Sequence, residues 1–236
     1  MNYSLRGFLN SLRFFGHTSY SQYSEDFIAY RIFKDLLNKP RPRYLDVGAN
    51  HPVYGNNTYL MYKNGGSGVL VEPSHTSARL CNFIRRRDLV LEIGIAPLHL
   101  IQENPSILFE FYPSTLNTFS SSSAQSYLEL GHRLIRKSSV SYLSLEKVLN
   151  DNKPFDFLSL DIEGLDLDVL RECDIATHDI DLICLETVAY SSGSLSHHIL
   201  EYDNVMSRNG YTILARTPVN TLYISNKARE IVYAAA

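Results

Sequence analysis

Acidic residues follow two apolar segments of this 236-residue sequence, at positions where a carboxylate can bind a ligand. Asp46 lies in the segment LDVGAN (residues 45–50), and Glu72 lies 26 positions later in VEP (residues 71–73). A carboxylate can accept both hydroxyls of a ribose in charge-assisted hydrogen bonds, and Gly48 allows a ligand to approach the backbone closely. The pair therefore predicts a site for a cofactor that contains a nucleoside. The alternative is that Gly48 only forms a turn and Glu72 only caps a helix.

Two other classes of ligand are disfavoured. The fingerprint of dinucleotide sites has three glycines, whereas this chain has Asn50, Pro52 and Val53 where the further glycines would fall, which argues against NAD. The formal net charge of -3 argues against general nucleic-acid binding, which usually needs a basic excess.

A second group of polar residues has the chemistry for proton transfer. Asp161 and Glu163 lie in DIEG (residues 161–164), directly after the apolar segment FLSL, and Glu186 follows LICL. These carboxylates can bind an acceptor, take a proton or hold a metal ion, and His197 can take a proton near neutral pH. The structural alternative makes Asp161 a helix N-cap, Glu163 an acid in the first turn and His197 a packed or solvated side chain.

The elements that position these residues follow from the alternation of β-rich apolar runs with helical patterns, which predicts a doubly wound α/β domain with a mostly parallel sheet. Ligands bind beyond the carboxyl ends of the strands in such folds, where the acids fall. The expected strands are 44–47, 68–71, 89–93, 155–160 and 181–185, followed by an antiparallel hairpin of 211–215 and 221–225. The expected helices are 57–63, 74–86, 165–173 and 194–208.

Two segments stand outside this alternation. Residues 1–43 carry seven lysines and arginines against three acids, and a helical pattern from Ser24, the candidate N-cap, to Leu37 predicts an N-terminal helical cap. Residues 113–126, of which eight are serine or threonine, are expected to form a loop. Apolar residues of the cap are expected to pack on the sheet or a second subunit, or alternatively to contact an anionic membrane surface: Phe8, Leu9, Leu12, Phe14 and Phe15.

The cysteines and the hydropathy indicate the compartment. Cys81, Cys173 and Cys184 are widely spaced without any paired-cysteine motif, so we expect buried thiols in a reducing compartment rather than zinc ligands or nucleophiles. No apolar run reaches the roughly 18 residues of a transmembrane helix. We therefore expect a cytoplasmic protein, with the inner face of the membrane as the second location if the basic cap binds there.

The segments that carry these residues resemble the FkbM-type methyltransferases. The similarity lies in DVGANHPVYGNNTYLMYKNGGSGVLVEPS (46–74), DFLSLDIEGLDLDVL (156–170) and LICLET (182–187), while SQYSEDFIAY (21–30) is similar to the segment before the first strand. The resemblance implies a Rossmann-like sheet of the class I methyltransferase type. It also implies S-adenosylmethionine as cofactor, used by most members to methylate hydroxyls of sugars, glycans or natural products.

Carried over to this chain, the resemblance implies a set of cofactor contacts. Asp46, Gly48 and Asn50 would line the methionine portion and Glu72 would hold the ribose. Adenine is expected at Gly94 and Ile95, because the sequence after the third strand places no acid at the strand end. Further contacts are expected from the cap, from the loop after the first strand and from the strand ends: Gln22, Asp26, Asn56, Asn57, Thr58, Pro73 and Asp161. His51-Pro52 stands where many members have a glycine.

We therefore predict an S-adenosylmethionine-dependent O-methyltransferase that acts on a sugar hydroxyl of a glycan or glycosylated metabolite. Nucleic-acid amino methyltransferases carry Pro-Pro-aromatic after the residue that corresponds to Asp161, and its absence favours oxygen as the acceptor. The alternatives are methylation of a small non-sugar molecule and a nucleoside-binding module without turnover.

The remaining expectations concern metal, domains and partners. By positional analogy with metal-dependent O-methyltransferases, Asp161 and Glu186 are candidate ligands of a magnesium ion, whereas a base such as Glu163 or His197 needs no metal. Residues 1–43 are expected to form the cap and 44–233 the methyltransferase domain. A carbohydrate acceptor and no nucleic acid are expected as partners, and the oligomeric state is left open, with a dimer as one option.

Overall fold

The apolar segments form strands of one large sheet in the computed structural model, which describes residues 18–102, 106–162, 164–187 and 195–235. Only the backbone is described for Thr115, for residues 195–198 and for Ala235. In chain order, the described strands are β1 (Arg43–Val47), β2 (Ser67–Val71), β3 (Leu89–Leu91), β4 (Gly94–Ile95), β5 (Ser106–Tyr112), β6 (Arg133–Val140), β7 (Tyr142–Leu143), β8 (Phe157–Leu160), β9 (Leu182–Glu186), β10 (Tyr211–Arg216) and β11 (Asn220–Ser225).

The large sheet has the strand order β10-β11-β9-β8-β1-β2-β3. β1 pairs in parallel with β2 and β8, and β8 pairs in parallel with β9. The register aligns Val47 with both Val71 and Leu160, so the chain leaves these strands at one edge of the sheet. β11 runs antiparallel to β9 and β10. The predicted doubly wound sheet with an antiparallel C-terminal hairpin, of the Rossmann-like class I methyltransferase type, is confirmed.

The central strands are apolar at successive positions because both faces of the sheet are covered. Leu45 and Leu158 belong to the core on one face, whereas Tyr44 and Phe157, one position earlier in each strand, belong to the core on the other. Side chains that alternate in direction along a strand produce this division, and a parallel sheet with helices on both faces requires it.

The described helices agree closely with those expected around the large sheet. Ser74 caps the helix that begins at His75 by accepting a hydrogen bond from the amide of Ser77. Gly210, with φ of +81°, follows the helix that ends at Arg208. In chain order the helices are α1 (Glu25–Arg31), α2 (Tyr59–Lys63), α3 (His75–Ile84), α4 (Leu98–Gln102), α5 (Ser121–Glu129), α6 (Leu145–Asn152), α7 (Asp166–Arg171), α8 (Leu195–Arg208) and α9 (Asn226–Ala235). No described helix combines the length and apolar character needed to cross a bilayer.

The predicted loop over residues 113–126 is wrong in its second half, because α5 begins at Ser121. The hydroxyl of Ser120 accepts from the amide of Ser123, and Ala124 is buried, so a serine-rich sequence forms a capped helix with one apolar anchor. α5 connects β5 to β6, which pair as an antiparallel hairpin that the sequence analysis did not identify. This hairpin is inserted between β4 and β7, which pair with each other.

The described part of the cap packs into the domain. α1 continues as a π-helical turn over Ile32–Leu36, within the expected range, and Phe33 is fully buried with its ring centroid 6.2 Å from that of Phe157. Ser24 stands at the N-cap position but its side chain makes no capping bond. The buried Glu25 instead accepts hydrogen bonds from Thr217 and Asn220, which fixes the cap to the end of β10 and the start of β11. The apolar residues Phe8 to Phe15 lie outside the described residues.

Candidate active site

The carboxyl ends of β1 and β8 approach each other at Gly48. Its φ is +81°, and a Cβ atom there would lie 1.9 Å from the carbonyl oxygen of Asp161. The amide of Asp161 donates to the carbonyl of Val47, and the amide of Gly48 donates to that of Val71. Only glycine fits this position, because it tolerates the left-handed conformation and has no side chain to meet the neighbouring backbone.

Glu72 follows β2 at the same edge, and its carboxylate is held by two backbone donors. The amide of Asn50 donates to Oε2 at 2.7 Å, and the amide of Ser74 donates to Oε1 at 2.8 Å. Asn50 adopts a left-handed backbone conformation with φ of +44°. Each carboxylate oxygen keeps acceptor capacity for a further donor. The two predicted cofactor segments are therefore joined to each other through Glu72.

The charge of Glu72 is costly in this position. Burial raises the pKa of Glu72 to about 7, and the charges of Glu110 and Asp46 act in the same direction, against the two backbone donors.

Glu110 is a residue of β5 that the sequence analysis missed. It is 2% exposed and accepts hydrogen bonds from the hydroxyls of Ser74, at 2.6 Å, and Ser138. The inserted hairpin thus reaches the edge of the sheet where β2 ends.

Asp46 is buried behind the loop that follows β1. Its Oδ2 accepts from Asn56 Nδ2 at 3.0 Å and from Thr58 Oγ1 at 2.7 Å, and burial raises the pKa of Asp46. Asp46, Asn56 and Thr58 are therefore brought together as expected, although their mutual hydrogen bonds organise the loop itself. Their contact with a cofactor stays a prediction.

Arg85, which the sequence analysis also missed, holds the same loop from α3. Its side chain is fully buried, forms an ion pair with Asp88 and donates to the carbonyl of Pro52, to Asn56 and to Thr58. A buried guanidinium needs this number of acceptors, because an unpaired charge is strongly destabilising in the interior. No local motif marks Arg85 as a partner of this loop, since Pro52, Asn56 and Thr58 lie 27 to 33 positions away.

The cap residues expected at the cofactor differ in exposure. Gln22 is exposed, whereas Asp26 is fully buried. The carboxylate of Asp26 accepts from the backbone of Tyr20 and Phe27 and from the hydroxyls of Ser19 and Ser21. Since the amide of Asn56 donates to the carbonyl of Tyr20, Asp26 orders a turn that lies against the loop after β1.

The remaining expected cofactor residues lie around this edge of the sheet. Asn57 donates to Ser159 on β8 at 3.1 Å, and Pro73 is half-buried. Gly94 and Ile95 are buried in β4, where a Cβ on Gly94 would lie 2.4 Å from the Tyr142 ring. Gly94 is thus required by packing, and its expected contact with adenine stays a prediction.

Asp161 follows β8 and is exposed at the edge of the sheet. The alternative of an N-cap is wrong, because α7 begins at Asp166, five positions later. Asp166 itself is a third missed residue: it is buried and accepts from the amides of Ile162 and Gly164, so it shapes the loop that presents Asp161. Burial, followed by the charge of Asp161, raises the pKa of Asp166 to about 7.

Glu186 is the last residue of β9 and is half-buried, at the same edge as Asp161. Glu163 lies outside the described residues, and His197 lies on α8 where only the backbone is described. His51 accepts from the amides of Val53 and Tyr54. Burial lowers the pKa of His51.

Aromatic side chains are available for a sugar near this edge. Tyr54 and Tyr112 are both 74% exposed, and Ser114, two positions after Tyr112, donates to the side chain of Asn50 at 2.9 Å. The chain after β5 therefore lies next to the loop after β1.

Within the described part of the chain, the group of residues able to hold a metal is Glu146, Cys173 and His178, which includes neither Asp161 nor Glu186.

The chain is similar to several solved structures that are distant from it in sequence. One is a TehB-like SAM-dependent methyltransferase from Corynebacterium glutamicum, with 11% identity and a TM-score of 0.45 over 94% of this chain and 96% of that chain. Another is an O-methyltransferase from Bacillus cereus in complex with SAH, with 14% identity and a TM-score of 0.44 over 91% of this chain and 86% of that chain. Monomeric WbdD is similar over 86% of this chain, with 11% identity and a TM-score of 0.46. The match covers only 40% of the WbdD chain. No curated protein matches the chain.

The model of the methyltransferase FkbM domain matches residues 46–213. The matched range begins at Asp46 in β1 and ends in β10, so it contains Gly48, Glu72, Asp161 and Glu186 and most of the large sheet. The strand order and the register independently place these residues at the edge where the parallel strands end, which is where doubly wound sheets generally bind ligands. Since the match covers more than half of the chain, the protein belongs to the FkbM family of methyltransferases.

Proposed function

We propose that the protein transfers a methyl group from S-adenosylmethionine to a sugar hydroxyl of a glycan or glycosylated metabolite. The observation that carries the cofactor assignment is the carboxylate of Glu72, fixed by two backbone donors and keeping acceptor capacity on both oxygens. A ribose offers two adjacent hydroxyl donors, which suit such an acceptor.

The residues around Glu72 fit the rest of this cofactor. Gly48 brings the chain close to the β8 end without a side chain, and Asn50 links the same turn to Glu72. S-adenosylmethionine supplies an electrophilic methyl group on a positively charged sulfur. The acidic residues Asp46, Asp161 and Glu186 at the strand ends favour a cation electrostatically.

The acceptor assignment is supported by the residues after β8. Asp161 is exposed and the sequence after it lacks Pro-Pro-aromatic, which favours oxygen as the attacking atom. An in-line attack on the methyl group requires alignment of the hydroxyl and removal of its proton, and Asp161 or Glu186 can accept that proton. The exposed rings of Tyr54 and Tyr112 can stack on a sugar face.

Calorimetry tests the cofactor site. S-adenosylmethionine and S-adenosylhomocysteine should both bind, and Glu72→Ala should weaken binding by about 2 to 4 kcal/mol, because hydrogen bonds to charged groups contribute about 1.5 to 3 kcal/mol each and are not additive. Glu129→Ala, on the exposed side of α5, is the matched control and should bind normally. Unchanged affinity in Glu72→Ala would contradict the ribose assignment, and folded protein that binds neither compound would contradict the function.

Transfer of a labelled methyl group tests the acceptor. Glycans and nucleotide sugars should become labelled while small hydroxylated metabolites without a sugar should not, and the reverse result would favour the small-molecule alternative. Cofactor binding without transfer to any acceptor would favour the binding module. The same assay after chelation tests the magnesium prediction at Asp161 and Glu186: full activity removes it, whereas activity that returns only with added magnesium supports it.

A further inference from the structure

We propose that Glu146, Cys173 and His178 form a zinc-binding site that stabilises the fold. These three side chains come from separate elements: Glu146 from the first turn of α6, Cys173 from the chain after α7, and His178 from a 3₁₀ turn over Ile175–His178. Their ligand atoms all lie within 4.8 Å of one another. We name this group the Glu-Cys-His cluster.

The distances within the cluster suit a tetrahedral ion. Cys173 Sγ lies 3.1 Å from Glu146 Oε2, and His178 Nε2 lies 3.2 Å from both carboxylate oxygens. Zinc bonds of about 2.0 to 2.3 Å at tetrahedral angles separate neighbouring ligand atoms by roughly 3.3 to 3.6 Å. Small shifts of the half-exposed Glu146 would bring its oxygens to such separations, while Cys173 Sγ and His178 Nε2 lie within 4.8 Å of each other.

The ligand types also balance the charge. A Zn²⁺ ion would replace the thiol proton of Cys173, which is released to solvent, and the carboxylate of Glu146 supplies the second negative charge. His178 would bind as a neutral imidazole with its proton on Nδ1. That nitrogen is buried and has no hydrogen-bond partner among the described residues. Without the ion, Nε2 faces the carboxylate oxygens of Glu146, which only accept, so this contact places a proton on Nε2 that zinc binding would move to Nδ1. The resulting site carries no net charge, which suits its partial burial.

The surroundings orient the cluster and leave access to it. Asn150 donates to Glu146 Oε1 at 2.7 Å, and the amide of Asp174 donates to Oε2 at 3.2 Å, so groups outside the cluster hold the carboxylate. The side chain of His178 is 2% exposed, whereas that of Glu146 is 36% exposed. Water can therefore complete the coordination at the Glu146 side, and the ion can enter there.

The position of the cluster indicates a structural role. Cys173 and His178 lie between the end of α7 and the start of β9, on the side of the sheet where β9 begins. The candidate active site lies at the opposite edge, where β1, β2 and β8 end. An ion here would join α6 to the connection between α7 and β9, without touching cofactor or acceptor.

Metal titration of the purified full-length protein tests the proposal. After removal of metal, the protein should bind one equivalent of Zn²⁺ in competition with a chromophoric chelator. Co²⁺ should give the near-ultraviolet charge-transfer band of a thiolate ligand and the intense visible bands of tetrahedral coordination. Zn²⁺ should also raise the melting temperature, because it binds the folded state.

Three variants assign the ligands. Glu146→Gln, at the exposed side, should fold normally and weaken zinc binding at least about tenfold, and Cys173→Ser should abolish the cobalt charge-transfer band. Cys184→Ser, in β9 outside the cluster, should leave both unchanged. Absence of one-to-one zinc binding by the wild type would overturn the proposal, as would binding that Glu146→Gln and Cys173→Ser leave intact. Neither result bears on methyl transfer, so the proposed function is tested separately.

Discussion

The carboxylate of Glu72 links the electrostatics of the site to a measurable pH dependence. Burial holds the pKa of Glu72 at about 7, and only the ionised form can accept both ribose hydroxyls. Affinity for S-adenosylmethionine should therefore be constant above pH 7 and fall as the pH decreases, by about tenfold for each unit below the pKa. Calorimetry between pH 5.5 and 8.5, chosen as roughly 1.5 units on each side of that pKa, measures the effect.

The control for this prediction is Glu72→Gln, which keeps the shape of the side chain but does not titrate. Its affinity should be weaker throughout and should lack the component that titrates near pH 7. Ionisation of the cofactor itself affects both proteins equally and cancels in the comparison. Asp166 also has a raised pKa of about 7, so a profile that survives in Glu72→Gln would assign the titration to Asp166 and contradict our assignment.

At the scale of elements, the junction between the ends of β1 and β8 determines whether the site forms. Gly48→Ala places a Cβ atom against the carbonyl oxygen of Asp161, at a backbone φ of +81°. The left-handed conformation alone costs an alanine about 1 to 2 kcal/mol, and separating the two strand ends costs more. Urea denaturation should show a loss of stability above this range, together with weaker cofactor binding.

Gly131→Ala provides the matched comparison for Gly48→Ala. Gly131 has φ of +83° but nothing lies within 4 Å of the added Cβ atom. Gly131→Ala should lower the free energy of unfolding only by the cost of the left-handed conformation, about 1 to 2 kcal/mol, and leave cofactor binding unchanged. Equal losses in the two variants would show that the approach of β1 and β8 is not the constraint at Gly48.

At the scale of the whole molecule, we expect the described part of the cap to unfold together with the rest of the domain. Phe33 is fully buried on the face of the sheet that includes Tyr44 and Phe157. Phe33→Ala should therefore destabilise the whole protein by about 3 to 5 kcal/mol, because it removes a large side chain from a core. Urea unfolding followed by circular dichroism and by tyrosine fluorescence should show one coincident transition.

Phe83→Ala is the control for Phe33→Ala, because Phe83 is 68% exposed on α3. Its loss should change stability by no more than about 0.5 kcal/mol. A separate early transition in Phe33→Ala, with the sheet still folded, would instead show that the cap is an independent unit. That result would favour the division at residue 43 expected from the sequence.

The sequence by itself determined the sheet and the positions of its strand-end acids. Apolar runs with Asp46, Glu72 or Asp161 at or directly after their ends carry their own signal, since each strand is local in sequence and buried on both faces. Parallel strands then bring their carboxyl ends to one edge, so a local pattern predicts a common site. The family resemblance added the identity of the cofactor, which spacing alone does not specify.

Only the tertiary structure decided which polar residues support that site and which form the Glu-Cys-His cluster. Arg85 meets Thr58 across 27 positions, Glu110 meets Ser74 across 36, and His178 meets Glu146 across 32. None of these residues belongs to a local motif, because their hydrogen bonds form only when separate helices and strands pack together. A buried charge is tolerated only where such partners converge, and that convergence is a property of the packed chain rather than of any segment of it.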